Sequence, residues 1–253
     1  MDFRFHDLNQ RIQFHEILES TQRYALDCIT KSNPKSGTAI LTFNQTAGVG
    51  QFGRKWQSEP QKNMAMSIVF SPPGSWNIAN QFGVSMFAAN TIADFIEQKL
   101  NIKIALKWPN DLISSRKKLG GILINNTLMG QQWEWCTIGI GININQELFD
   151  DSIPDAISLK EASGQSIDLI SFANEFYEYF MSKLMMLDQL NHDVIKNKYL
   201  KRLLGMGQAE QFLLPDGQNF HAVLKDIDAN GKLGLEINDE VKFYSLAEIR
   251  MKL

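Results

Sequence analysis

Two cysteines, four histidines and a net charge of −3 in 253 residues narrow the function before any motif is read. Cys28 and Cys136 lack metal-ligand neighbours and His6, His15, His192 and His221 are scattered, which argues against a zinc site or a disulfide framework and for a reducing compartment. The slightly acidic balance argues against broad nucleic-acid binding, no apolar run approaches the ~20 residues of a membrane span, and MDFRFHDLNQR lacks the apolar core of a signal peptide, so a cytoplasmic protein with one large and one small domain is expected.

In chain order, residues 12–18 form a short strand-like run, and Ser20-Thr21 precede a helical pattern with Tyr24, Ala25, Cys28 and Ile29 on one face, ending before Asn33-Pro34. Taken alone, Ser20-Thr21-Gln22 reads as a plain helix cap. A strand over 38–43 leads into TFNQTAGVGQFGRKWQS, residues 42–58. Gly48, Gly50 and Gly53 remove side chains where backbone N–H groups can wrap an anion, Arg54 and Lys55 can neutralise phosphate, and Trp56 offers a face for a ring. The spacing is neither a Walker loop nor a dinucleotide fingerprint, because Pro60 and polar residues follow where a helix would begin. A mobile Gly-rich loop is the plain alternative.

A strand over 64–70 stops at Ser71-Pro72-Pro73-Gly74, and apolar positions 78, 82, 86, 89, 93 and 96 describe one helix from Asn77 to Leu100. The next strand, 102–108, ends in Lys107-Trp108-Pro109-Asn110-Asp111, where Pro109 cannot donate to a ladder. Leu112-Ile113, a turn through 114–117 and Lys118 to Ile124 form a hairpin, with three consecutive cations (Arg116, Lys117, Lys118) near its tip. Gly120-Gly121 inside the second strand implies close approach by a ligand or by another backbone. In the strand over 133–144, Gly139 and Gly141 clear one face, which Asn143 continues, leaving either a floor for a flat ligand or a surface for tight sheet packing. Beyond a polar stretch over 145–154, Asp168 caps a helix expected through Leu190, and a second helix covers 192–204. Gly205 to Gly207 marks a boundary, after which three short strands, with turns at 215–217, 228–231 and 238–239, are expected to form a small barrel.

Taken together, Ser20-Thr21-Gln22, QTAGVGQFGRKW, KWPND, KLGGIL and GIGIN stand in the order and spacing of bacterial biotin–protein ligases, and the chain resembles that family over nearly its whole length. The resemblance implies an α+β fold: a mixed sheet flanked by helices, similar to class II aminoacyl-tRNA synthetases, over 1–204, with an SH3-like barrel over 205–253. It implies a ligase that uses MgATP to convert biotin to biotinyl-5′-AMP and then passes biotin to a lysine of a biotin carboxyl carrier protein, as a monomer or homodimer.

By the same resemblance, Ser20, Thr21, Gln22 and Gln45 with the Gly48-Val49-Gly50-Gln51 segment would hold biotin. Gly121 and Leu123 would lie along it, and Gly139 and Gly141 would leave it room. Lys118 would be the catalytic lysine and would also touch the biotin carboxyl group, while Asp111 would orient or deprotonate the carrier lysine. Arg54, Trp56, Lys107, Asn110 and Asn143 would serve ATP, and the metal ligands stay unassigned. The Gly48–Trp56 loop would be mobile when empty and ordered over the adenylate.

Two departures from the family stand out. Val49 and Gln51 replace the first two arginines of its G-R-G-R-x-G-R loop. Only 19 residues precede Ser20, so a ligase without the DNA-binding domain of the family's repressor members is expected. A lipoate–protein ligase and a catalytically silent vitamin-binding module are the rival readings.

Overall fold

The computed structural model describes residues 8–151 and 153–252; His6 and the first residues of the N-terminal segment lie outside them. The chain begins with β1 (Ile12–Phe14), α1 (Thr21–Ser32) and β2 (Thr38–Thr42). The Gly-rich segment folds as β3 (Gly48–Val49) and β4 (Lys55–Trp56), followed by β5 (Asn63–Phe70) and α2 (Gln81–Leu100). Next come β6 (Ala105–Lys107), β7 (Asp111–Ser114), β8 (Lys117–Met129) and β9 (Gln132–Asn143). Helices α3 (Leu159–Ser163), α4 (Leu169–Leu184) and α5 (His192–Arg202) lead to β10 (Ala209–Leu213), β11 (Asn219–Ile227), β12 (Leu233–Ile237), β13 (Glu240–Tyr244) and β14 (Arg250–Met251).

The large sheet is mixed, in the order β1-β2-β5-β9-β8-β7-β6, with β1 parallel to β2 and the remaining pairs antiparallel. Alternation sorts its side chains. Met64, Met66, Ile68 and Phe70 of β5 and Ile138, Ile140 and Ile142 of β9 enter the main core, where α2 and α4 pack. The opposite face carries Ile40, Val69 and Trp135, on which α1 lays Ala25. The α+β class with a mixed sheet flanked by helices is therefore what the chain adopts.

Several boundaries differ from expectation. The helix expected from Asn77 begins with a 3₁₀ turn, Ile78–Asn80, because Asn77 caps Ala79 through its side chain and the α-helix proper starts at Gln81. Asp168 caps α4 as expected, accepting from Ser171 N at 2.8 Å, but the helix stops at Leu184 and a separate turn covers Leu187–Gln189. At 79% exposure, Met185 has no apolar surface to keep that helix going. Five-residue α3, capped by Ser158, was not expected, since one turn of helix is too short to show a period.

The C-terminal segment has five strands, not three, in one antiparallel sheet ordered β13-β12-β11-β10-β14. Its Phe212, Leu224, Leu233, Leu235 and Ile249 join the main core. Trp108 Nε1 donates to the Gly231 carbonyl at 2.8 Å, and Arg116 and Lys196 form ion pairs with Glu210 and Asp226. The small sheet is thereby held against the KWPND segment.

Candidate active site

The site lies on the α1 face of the large sheet, and small residues make it. In register across three strands, Gly121, Gly141 and Ala65 form one row, and Leu123, Gly139 and Ser67 form the next. The hollow they leave is entered from both ends. The Gln22 carboxamide sits over Gly139, where an added Cβ would lie 2.3 Å from its Oε1, and the Trp56 indole sits over Gly141, where a Cβ would lie 2.6 Å from Cε2.

At the first end, α1 begins with its cap Ser20 accepting from Arg23 N at 3.4 Å. Thr21 N donates to Gln45 Oε1 at 2.9 Å. Gln22 Nε2 is shared among Asn125 Oδ1 at 2.8 Å, Thr137 O at 3.3 Å and Leu123 O at 3.4 Å. Ser67 Oγ lies 2.9 Å from both Thr21 Oγ1 and Gln22 Oε1. With its carbonyl occupied by Thr21, Gln45 has its Nε2 to offer a ligand.

The Gly-rich loop forms the cover. Gly48 pairs with Trp56, and a Cβ there would sit 2.5 Å from both Gln45 Nε2 and Trp56 O, so glycine is required for β3 and β4 to close over Gln45. Gly50 N donates to Arg54 O at 2.7 Å. Phe52 at the tip has φ +53 and is 73% exposed. Trp56 Nε1 is buried and has no hydrogen-bond partner among the described residues, which marks it as a donor awaiting a ligand. Cleavage by trypsin at Arg54-Lys55 is expected to slow in the presence of biotin plus ATP; equal rates with and without them would count against a ligand-ordered cover.

The other end is charged. Lys118 Nζ lies 2.6 Å from Asp111 Oδ1 and 5.9 Å from the Trp56 ring centroid. Burial lowers the Lys107 pKa, and neighbouring Arg250, Lys118 and Arg54 lower it further against the opposing pull of Asp111. A bulge in β8 decides that Lys118 reaches this site: Ile113 pairs with Lys118 but Leu112 pairs with Gly120, so Leu119 is an extra residue. Without it, Lys118 would point to the opposite face from Gly121; with it, a Cβ on Gly121 would lie 3.8 Å from Lys118 Cε. The main chain of Lys118 is held on its outer side as well, its N donating to Asp155 O at 2.5 Å and its O accepting from Ile157 N at 2.9 Å.

One cavity of about 510 Å³ joins the two ends. Ser20, Thr21, Gln22, Gln45, Val49, Gly50, Gln51, Arg54, Trp56, Lys107, Asn110, Asp111, Lys118, Gly121, Leu123, Gly139, Gly141 and Asn143 all line it; Gly48 does not, and acts through the hairpin. Two of the residues assigned to ATP have amides already engaged: Asn110 Nδ2 donates to Ile122 O at 2.5 Å, and Asn143 Nδ2 donates to Ile157 O at 3.1 Å. Five cations (Arg54, Lys55, Lys107, Lys118, Arg250) face two carboxylates (Asp111, Asp155), so the cavity is built for an anion.

The KLGGIL glycines separate here. A Cβ at Gly120 would lie 2.6 Å from the Gly141 carbonyl, a backbone atom that cannot move aside, whereas one at Gly121 makes ordinary contacts from 3.6 Å. Gly120→Ala is expected to destabilise the fold by about 1–3 kcal/mol, and Gly121→Ala to melt like the parent while binding ligand less well. Paired thermal melts check this, and equal losses would overturn it.

The chain matches the biotin/lipoate A/B protein ligase family over residues 14–143. It belongs to that family. It is 30% identical over 249 residues to the bifunctional ligase/repressor BirA of Bacillus subtilis, covering 96% of this chain and 75% of that protein. It is 26% identical to the biotin–[acetyl-CoA-carboxylase] ligase of Mycobacterium tuberculosis, covering 84% of this chain and 78% of that one. Among solved structures, the biotin protein ligase of Aquifex aeolicus in complex with biotin and ATP superposes with a TM-score of 0.79 at 23% identity, covering 96% and 99% of the two chains. The fold of this family member is therefore that of biotin protein ligases.

Ala65, Ser67, Asp155 and Arg250 are among the lining residues that the sequence reading did not assign to the site. Ala65 and Ser67 had a legible signal, small side chains alternating with Met64, Met66 and Ile68 in β5. Asp155 sits in a segment without periodicity, and Arg250 arrives from β14 of the small sheet, so neither had a local signal.

Proposed function

We propose that this chain is a biotin–protein ligase, forming biotinyl-5′-AMP from biotin and ATP and transferring biotin to a lysine of a biotin carboxyl carrier protein. The observation that carries the reading is one cavity with a neutral polar end and a cationic end. A ureido ring needs a donor for its carbonyl and acceptors for its N–H groups; Gln45 Nε2 supplies the first, and the Thr21 and Ser20 hydroxyls can supply the others. The valeryl chain runs along Gly121 and Leu123 toward Lys118. There the biotin carboxylate attacks the α-phosphorus of ATP in line, pyrophosphate leaves, and the Lys118 ammonium offsets charge on both reacting groups. In the second step the carrier amine attacks the acyl carbon and AMP leaves. Asp111 holds Lys118 through Oδ1, which leaves Oδ2 to orient the incoming amine or take its proton.

Arg54, Lys107 and Arg250 are assigned to the phosphates, Trp56 to the cover over the adenylate, and Asn110 and Asn143 to holding the strands that present Lys118. Arg250 would give the small sheet, residues 205–253, a part in nucleotide binding. Among the described residues no group of three metal-ligating side chains occurs, and the cavity offers only Asp111 and Asp155. That donor set fits Mg²⁺ held mostly by phosphate oxygens and water, where it would neutralise charge on the leaving pyrophosphate.

Pyrophosphate release on mixing biotin and ATP, and calorimetry with biotin against lipoate, test the reading. Biotin-dependent release with no lipoate binding supports it; a preference for lipoate overturns it in favour of the other branch of the family. Val49 and Gln51 carry a further expectation. Where relatives hold the adenylate with two more arginines, each charged hydrogen bond contributes roughly 1.5–3 kcal/mol. Free biotinyl-AMP is expected to leave this enzyme at least ~10-fold faster in the absence of carrier, and retention as tight as in an arginine-rich relative would refute that.

No helix among the described residues is long and apolar enough to cross a membrane.

A further inference from the structure

The hydrogen bonds behind the ureido pocket have a direction. The Leu123 and Thr137 carbonyls can only accept, so the Gln22 amide must turn its NH₂ end to them, with Asn125 Oδ1 at 2.8 Å as the shortest partner. Gln22 Oε1 then faces Ser67, and because an amide oxygen cannot donate, Ser67 must give it its one proton across 2.9 Å. Ser67 and Thr21 are also 2.9 Å apart, and with the Ser67 proton committed, Thr21 can donate only to Ser67 Oγ or to Gln45 Oε1, which lies farther off at 3.3 Å and already accepts from Thr21 N. Thr21 Oγ1 keeps its lone pairs and has no proton left for a ligand.

Resting on the biotin reading above, we propose that Gln22 and Ser67 are positioning residues that order these protons, so that Thr21 meets the ligand as an acceptor only and selects a ring N–H over a ring oxygen. Both are buried, at 5% for Gln22 and 0% for Ser67, so water does not reset the order. The polarity of the pocket floor is thus set by β8 and β9 backbone through two side chains.

The test uses the full chain, biotin, and the two carbamate analogues in which one or the other ureido N–H is replaced by ring oxygen, with calorimetric affinity and pyrophosphate-release kinetics as readouts. The parent chain is expected to bind one of the analogues at least ~10²-fold more weakly than biotin. Ser67→Ala removes the nearer acceptor of the Thr21 proton, leaving only the 3.3 Å contact to Gln45 Oε1, and Gln22→Met releases the Ser67 proton so that Thr21 need not donate to it. In each variant the discrimination is expected to narrow to within ~10-fold, with KM for biotin raised and kcat at saturation little changed. Discrimination unchanged in both variants would overturn the relay. So would a parent chain that binds biotin and both analogues equally, a result that needs no variant to fold. Absence of biotin-dependent pyrophosphate release from the parent would instead overturn the ligase function itself.

Discussion

Replacing Lys118 with alanine is expected to slow biotinyl-adenylate formation at least ~10²-fold while biotin affinity changes much less. Charge builds at the carboxylate oxygen and α-phosphate only as they approach, so a fixed ammonium stabilises the transition state more than the bound substrates. The structure fixes that ammonium three ways: the Leu119 bulge aims it into the cavity, main-chain bonds to Asp155 and Ile157 hold its strand, and Asp111 grips it at 2.6 Å. Lys118→Arg, which keeps the charge but not the compact geometry, should recover only part of the rate. Pyrophosphate release at saturating biotin and ATP is the measurement, and unchanged turnover in Lys118→Ala would remove this residue from the mechanism. Loss of folding is not expected, because Asp111 keeps the electrostatic attraction of Lys107 when its partner is gone.

Gly141→Val is expected to leave the protein folded and to weaken biotin binding by ~10–10²-fold. Valine suits the middle of β9, so the sheet itself does not object. The nearest atoms to the new Cβ all belong to the Trp56 indole, at 2.6, 2.8 and 3.1 Å, and that ring must swing away together with β4 and the cover it belongs to. A melting temperature near the parent's, together with the loss of affinity by calorimetry, is the expected pair of results. A variant that binds biotin normally would show that the Trp56 position over Gly141 is not the one used.

Much of this site is legible in residues read one at a time. Gly139 and Gly141 announce a strand face cleared for a ligand or for tight packing, and Asp168 and Ser20 announce helix starts through their cap chemistry. What glycine cannot announce is what approaches. Gly139 makes room for Gln22, Gly141 for Trp56 and Gly120 for the Gly141 carbonyl, and of these sheet glycines Gly121 alone meets its neighbours at ordinary contact distance. Of the two strands missed in the small sheet, two-residue β14 left no trace because it is held by β10, far along the chain, and not by its own pattern.

The sequence by itself determined the order of the longer elements, the polar and cationic stretches, and the loop that covers the site, since these depend on local propensity and on which side chains are present. Tertiary structure alone decided which of them meet. Alternation assigns Lys118 and Gly121 to opposite faces, and a single extra residue opposite the Leu112–Ile113 step reverses that assignment. Arg250 reaches the cavity only because the small sheet docks beside Trp108. Both outcomes come from pairing between distant segments, where one hydrogen-bond register or one interface moves a charge from solvent into the cavity, and no local pattern records it.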